Sequence, residues 1–361
     1  MTGYALGYCG GAPEREIGGQ AADTITAPVK IADMPEVAFP DDGGGGDDMT
    51  ASVDDPWPAL PYGDWAETGR TLHLWTQIVG KVRLAQTPWL NHSWQAPLYL
   101  TPRGLTTGPV FHGLRAFELE FDFIDQALRL RSDGPVGEIG LVPMPVAQFY
   151  ARVMTLLNEA GLSVAIHGLP NEIPDAVPFT KDTAPRVYDP VQARRFWRAL
   201  LQADRVMRTF RTAFLGKASP VHFFWGSFDL AVTRFSGRPA PPHPGGVPNL
   251  PDAVTREAYS HEVSSAGFWP GGPGIEEAVF YSYAYPEPPH FREAKAEPEA
   301  ARFEAALGEF VLPYEAVRTA PDPDAALMAF LQSTYRAAAD AGRWDPALEC
   351  GIGVPGRPRP A

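Results

Sequence analysis

The chain has 361 residues, of which 45% are hydrophobic and 11% aromatic, so it is long enough for one or two domains with a real core. The formal net charge is −13, but nine acidic and two basic residues fall within 1–48, which leaves the remainder only mildly acidic. A nucleic-acid-binding protein is expected to carry a basic surface. The charge therefore argues against nucleic acid as a partner, and equally against an anionic membrane surface.

The two cysteines, Cys9 and Cys350, lie near opposite ends of the chain, which excludes a disulfide scaffold and a thiolate zinc site. No apolar run reaches the roughly 18 residues that span a bilayer, and the N-terminus lacks the pattern of a secretory signal. The sequence predicts a cytoplasmic protein without a membrane partner. Its oligomeric state and any cofactor stay unknown.

Three regions follow from composition. Residues 1–48 end in an acidic, glycine-rich run and show no periodicity, so we expect a disordered extension, and the tail 346–361 is expected to be disordered as well. Between them, residues 57–345 are predicted to form a single large domain.

Within this body the apolar spacing predicts alternating helices and strands. Helices are expected at residues 65–86, 146–160, 191–215, 298–307 and 324–341, and strands at 97–101, 117–123, 164–167, 278–285 and 309–314. The clearest strand is 117–123, where four apolar residues alternate with acidic ones. The fold class is α+β, a mixed or antiparallel sheet with packed helices.

An internal sequence similarity, which we call the echo, suggests two similar halves, residues 65–170 and 191–316. A helix ending in Gly80-Lys81 precedes His92-Ser-Trp94, and a helix ending in Gly216-Lys217 precedes His222-Phe-Phe-Trp225. If the echo is a duplication, its polar and aromatic residues should face each other across a cleft. These residues are His92, Trp94 and Arg103 from one half, and His222, Trp225 and Arg234 from the other.

The most unusual stretch is 219–238, which we interpret as a central strand. It places histidine, aspartate and arginine among aromatic residues, and a polar group in a dry strand costs a few kcal/mol unless something pairs with it. We therefore expect a cleft that binds a small, anionic molecule. Arg103, Arg234 and Arg238 would anchor the anion, and His92, Trp94 and Trp225 would line the cleft.

If the protein is an enzyme, His222 or His261 would act as acid or base, because imidazole titrates near neutrality. Asp229 or Glu262 would orient the imidazole. A non-catalytic sensor or binding module using the same cleft stays open.

Two other kinds of site involve the same residues. His92, His222 and His261 with Asp229 or Glu262 could hold a metal ion, although none of these histidines are at helical ligand spacing. A Ser227–His222–Asp229 triad is disfavoured, because on one strand His222 would lie on the opposite face from the other two. The plain alternative is that each imidazole fills an aromatic core and that the arginines pair with nearby acids.

Standard motifs are missing, among them the dinucleotide and phosphate-binding glycine loops and the serine-hydrolase elbow. Instead, Asn91-His-Ser-Trp94, Leu98-Tyr-Leu-Thr-Pro-Arg-Gly-Leu-Thr-Thr107, His222-Phe-Phe-Trp-Gly-Ser-Phe-Asp229, Thr233-Arg-Phe-Ser-Gly-Arg238 and Tyr259-Ser-His-Glu262 resemble a bacterial family of unknown function. The resemblance covers about residues 57–345 and implies no activity. In that family a histidine is common where this chain has Gln95, and another occurs just before Tyr188. Their absence weakens a many-histidine metal site.

Overall fold

The computed structural model describes residues 55–350. The first long element is helix α1, Tyr62–Gln86, whose apolar residues at spacings of three and four are buried as the periodicity predicts. Two further long helices follow later in the chain, α3 (Pro190–Arg211) and α6 (Pro323–Ala341). The remaining helices are α2 (Val146–Glu159), α4 (Asp252–Ala258) and α5 (Tyr314–Arg318).

The first six strands form one antiparallel sheet. They are β1 (Tyr99–Leu100), β2 (Gly104–Thr106), β3 (Val110–His112), β4 (Arg115–Asp122), β5 (Ala127–Ser132) and β6 (Gly137–Gly140). Their order is β1-β2-β4-β5-β6, and β3 pairs with β4. Strand β4 confirms the alternating pattern, because its phenylalanine and leucine residues point into the core. Its acidic face is covered by ion pairs with arginines of this sheet and the turn before β2.

The second sheet holds the other six strands and is also antiparallel. They are β7 (His222–Phe224), β8 (Asp229–Pro239), β9 (His261–Trp269), β10 (Val279–Tyr285), β11 (Arg302–Glu304) and β12 (Glu309–Pro313). The order is β7-β8-β9-β10-β12-β11. One face packs against α3 and α6, and the other face is covered by α4 and by the loop that carries His92 and Trp94.

The two sheets meet edge to edge at one antiparallel bridge, which we call the seam. Leu98 donates its N–H to the carbonyl of Phe223 at 2.9 Å, and Phe223 donates back to Leu98 at 2.8 Å. A single hydrophobic cluster continues across the seam and includes residues from Trp57 to Trp344. The seam places residues near β1 beside residues of β7, and this is what positions the site described below.

The α+β fold is confirmed, but several local predictions are wrong. Residues 164–167 form no regular element, and 298–307 contains strand β11 instead of a helix. The stretch 219–238 is a hairpin and not one strand, because residues 225–228 form the turn between β7 and β8. Gly226 and Ser227 are typical turn residues. Aromatic residues flank them on both sides, so the hydrophobic pattern of the sequence continues through the turn and does not indicate it.

The two ends of the chain compare differently with the sequence predictions. The predicted disorder of 1–48 lies outside the described residues. Part of the predicted disordered tail, residues 346–350, packs onto the body instead: Pro346–Leu348 form a 3₁₀ turn and Glu349 bridges to Phe214. The duplication of the two halves stays a prediction. Each half does place a lysine over the tryptophan of the other, Lys81 over Trp225 and Lys217 over Trp94.

Candidate functional site

Five of the polar and aromatic side chains meet on one face of the second sheet, next to the seam. We call them the histidine–tryptophan cluster. Its members are His92, Trp94, Lys217, His222 and His261. Their rings are close: His92 lies 5.4 Å from Trp94 and 6.1 Å from His261, and Trp94 lies 6.5 Å from His222, between ring centroids. The structure therefore brings together three of the histidines that the sequence singled out.

His92 is held rigidly in this cluster. Its backbone is left-handed, with φ of 59°, and its N–H donates to the carboxylate of Glu257 on α4. Its ring Nδ1 donates to the carbonyl of Ala258 at 3.0 Å, so its Nε2 is left as an acceptor. Burial lowers the pKa of His92 to about 4, and the ring is neutral at physiological pH.

His222 is the most unusual member of the cluster. It is only 1% exposed, and neither ring nitrogen has a hydrogen-bond partner among the described residues. Burial, together with the positive charges of Arg83 and Arg211, lowers its pKa to about 3. A neutral imidazole offers one donor and one acceptor, and here both are unused.

The indole of Trp94 has the same feature. It lies edge-on to His222, and its buried Nε1 also has no partner among residues 55–350. The ring itself is partly exposed, whereas His222 beside it is buried. Three unpaired polar atoms, all nitrogens, therefore belong to two neighbouring rings.

Lys217 lies at the exposed edge of the cluster. Its Nζ donates to Nε2 of His92 at 2.7 Å and lies 5.1 Å from the ring centres of both Trp94 and Phe235. Burial lowers the pKa of Lys217, while the nearby Glu257 opposes this shift. The cluster thus carries positive charge at its rim.

The expected orienting carboxylates do not contact the imidazoles. Asp229 is fully buried and accepts hydrogen bonds from the hydroxyls of Ser227 and Tyr281. Glu262 accepts from Ser236 and Arg238, while the Nδ1 of His261 contacts Ser260 Oγ at 3.0 Å. Neither Asp229 nor Glu262 is hydrogen-bonded to His222 or His261, and Ser227 donates to Asp229 and not to His222.

The three anchor arginines occupy three separate environments. Arg103 forms ion pairs with Asp122 and Asp125 on the first sheet. Arg234 is buried in a cage of rings, with its guanidinium 3.6 Å from the centre of Phe210 and 4.2 Å from that of Tyr335.

Arg238 pairs with Glu262 and with two main-chain carbonyls, where it lines a groove of about 500 Å³. The arginines do not converge on one anion. The hypothesis of a three-arginine anchor is not supported, because the three guanidinium groups lie apart: two pair with nearby acids, and that of Arg234 packs among rings.

Trp225 belongs to the core and not to the cluster. Its ring is fully buried against α1, and Nε1 donates to the carbonyl of Ala96 at 2.9 Å. Within residues 55–350, no three histidine, cysteine or acidic side chains are grouped to hold a metal ion. His92 also has both ring nitrogens engaged, which removes it from the proposed metal site.

Two contributors were missed from the sequence. Glu257 lies on the short helix α4, for which the sequence predicts no element, and Arg83 follows the buried face of α1. Glu257 accepts from the backbone of His92, and Arg83 adds positive charge near His222. The sequence around Glu257 and Arg83 does not mark either as a site residue, because both act through contacts with residues distant in sequence.

A comparison with known proteins identifies the chain by family. The model of a family of unknown function, DUF5996, matches residues 57–350. The chain belongs to this family. No curated protein and no solved structure matches it. Between residues 55 and 350, no helix combines the length and apolar character needed to cross a membrane. The resemblance inferred from the sequence motifs is confirmed.

Proposed function

We propose that this protein binds a small anionic molecule in the histidine–tryptophan cluster, beside the rings of His222 and Trp94. The observation that carries the proposal is the pair of unused ring nitrogens on a fully buried His222, next to the unused indole N–H of Trp94. A buried polar group without a partner costs about 1–3 kcal/mol. A bound molecule that supplies the missing partners would repay this cost.

Charge favours an anion. Arg83, Arg211 and Lys217 all contribute positive charge near these rings, and the carboxylate of Glu257 is engaged with the backbone of His92. The N–H groups of a neutral imidazole and an indole donate well to a carboxylate or phosphate oxygen. In this proposal the anion is bound by the ring N–H groups of His222 and Trp94, close to positively charged side chains, and not by the three arginines.

The proposal also retains the predictions of a cytoplasmic protein and of partners that include neither nucleic acid nor membrane. The mildly acidic body of the chain supports them.

Thermal unfolding tests the proposal directly. Sodium acetate and inorganic phosphate would be compared with sodium chloride at matched ionic strength, in wild type, His222→Leu and His290→Ala. His290 is the control, because it is an exposed histidine paired with Glu293. We expect at least one anion to stabilise wild type and His290→Ala, by about 2.7 kcal/mol at a concentration 100 times its Kd. His222→Leu should lose this stabilisation.

A second readout separates a binding role from a structural one. Without ligand, His222→Leu should be as stable as wild type or more stable by about 1 kcal/mol, because leucine removes an unpaired polar group. Stabilisation by neither anion, or equal stabilisation of His222→Leu, would refute the proposal. So would a large loss of stability in this variant without ligand.

A further inference from the structure

Lys217 differs from an ordinary surface lysine in the way its amine is held. Its Nζ contacts Nε2 of His92 at 2.7 Å, and the Nδ1–H of His92 is fixed on the carbonyl of Ala258. Because Nε2 can only accept, one N–H of Lys217 must point at His92. The other positions on Nζ therefore point in set directions.

The surroundings of this amine are apolar on two sides. The rings of Trp94 and Phe235 each lie 5.1 Å from Nζ, yet the side chain is exposed to solvent. Burial of the amine disfavours the ammonium form and so lowers the pKa of Lys217. A lysine that combines a fixed orientation, a partly apolar site and open access has the properties of a nucleophile.

We propose that Lys217 is a nucleophilic amine that forms an imine with the carbonyl group of a small oxo acid held in the cluster. The proposal rests on the proposed function, because the carboxylate of the oxo acid would occupy the anion site at Trp94 and His222. The amine nitrogen adds to the carbonyl carbon, and the carbonyl oxygen leaves as water after it takes up two protons. The nitrogen loses both of its protons in forming the carbon–nitrogen double bond.

Two neighbours serve this step. His92 is a positioning residue that orients the amine through its Nε2. His261, half-buried and 6.1 Å from His92 between ring centroids, is the imidazole placed to pass a proton to the departing oxygen.

The other described lysines provide internal controls. Lys81 is buried and hydrogen-bonded to Asn171, while Lys181 and Lys295 are exposed on the surface. These two exposed residues report the reactivity of ordinary lysine side chains.

Reductive trapping tests the proposal. The full chain would be incubated with pyruvate, with levulinate, or with acetone, then reduced with sodium cyanoborohydride and mapped by peptide mass spectrometry. Pyruvate and levulinate differ in the spacing between carboxylate and carbonyl, and acetone lacks the carboxylate. We expect Lys217 to be modified by at least one oxo acid roughly tenfold more than Lys181 or Lys295, and to show no such excess with acetone.

Two variants complete the experiment. Lys217→Arg keeps a positive charge but cannot form an imine, so the adduct at this position should vanish. His92→Leu should shift the pH midpoint of Lys217 labelling, because the amine loses its fixed acceptor. Equal labelling of the three lysines, or no adduct at Lys217, would overturn the inference.

The failure of this inference differs from the failure of the proposed function. If anions stabilise the protein through His222 and no adduct forms at Lys217, only the imine is excluded. If no anion stabilises the protein, the proposed function itself fails, and selective labelling by oxo acids over acetone should disappear too.

Discussion

At the scale of single residues, Asp229 shows how burial changes the pKa of a carboxyl group and with it the pH dependence of stability. Its carboxylate is fully buried, and its hydrogen-bond partners are the hydroxyls of Ser227 and Tyr281. Burial raises its pKa to about 6. Because the pKa in the folded state exceeds that in the unfolded state, the folded protein is favoured at low pH, and this advantage is lost as pH rises through about 6.

We therefore predict that Asp229→Asn has little effect on stability near pH 4 and stabilises the protein at pH 8. The difference should be about 1–3 kcal/mol, since one pKa unit corresponds to about 1.4 kcal/mol. Urea unfolding of both proteins across this pH range measures it.

Asp324 provides a control of opposite sign. Its pKa is lowered by the hydrogen bond and charge of Arg205. Asp324→Asn should therefore destabilise the protein slightly at neutral pH and not at low pH. A stability difference for Asp229→Asn that does not change with pH would contradict the assignment.

Single residues also show how much of the candidate site could be predicted from the sequence. Histidines and a tryptophan among aromatic residues were recognisable as unusual, and His92, Trp94, His222 and His261 do meet. Their partners were not recognisable, because the hydrogen bond from Lys217 to His92 joins residues 125 apart in sequence. The arginines were misread because a guanidinium gives no local sign of whether an acid or a ring already satisfies it.

At the scale of elements, Gly80 explains how α1 approaches the second half. A Cβ at this position would lie 2.2 Å from two atoms of the Trp225 ring, so the ring packs directly on the helix backbone. Gly63, in the same helix, has no atom within 4 Å of a Cβ position. The same substitution can therefore be compared at a crowded position, Gly80, and at an open one, Gly63.

We predict that Gly80→Ala destabilises the protein by about 1–3 kcal/mol, because overpacking outweighs the better helix propensity of alanine. Gly63→Ala should be neutral or stabilising by up to about 1 kcal/mol. Chemical denaturation of the two variants gives both values. If Gly80→Ala is as stable as Gly63→Ala, then the contact with Trp225 is not close in solution.

Element prediction from the sequence succeeded where one period continued for many residues. The three long helices and strand β4 are of this kind. It failed where a turn was short and aromatic, as between β7 and β8, since Phe228 adopts φ of 62° without being glycine. It failed again at β11, three residues whose pairing with β12 is decided by the sheet and not by local propensity.

At the scale of the whole molecule, contacts between the halves are extensive enough to predict one cooperative transition. The main-chain bridge at the seam is reinforced by indole hydrogen bonds from Trp197 to Thr101 and from Trp225 to Ala96. We expect urea unfolding followed by tryptophan fluorescence and by far-UV circular dichroism to give coincident curves. Two separated transitions would show that the halves are independent.

The position of the seam has a consequence for any molecule that enters the cluster. Trp94 precedes the edge strand of one sheet, and His222 begins the edge strand of the other. A molecule bound by both residues would link the two sheets across the seam. Part of its binding free energy would therefore oppose the separation of the sheets. A rearrangement that slides one edge past the other would move Trp94 away from His222 and release the bound molecule.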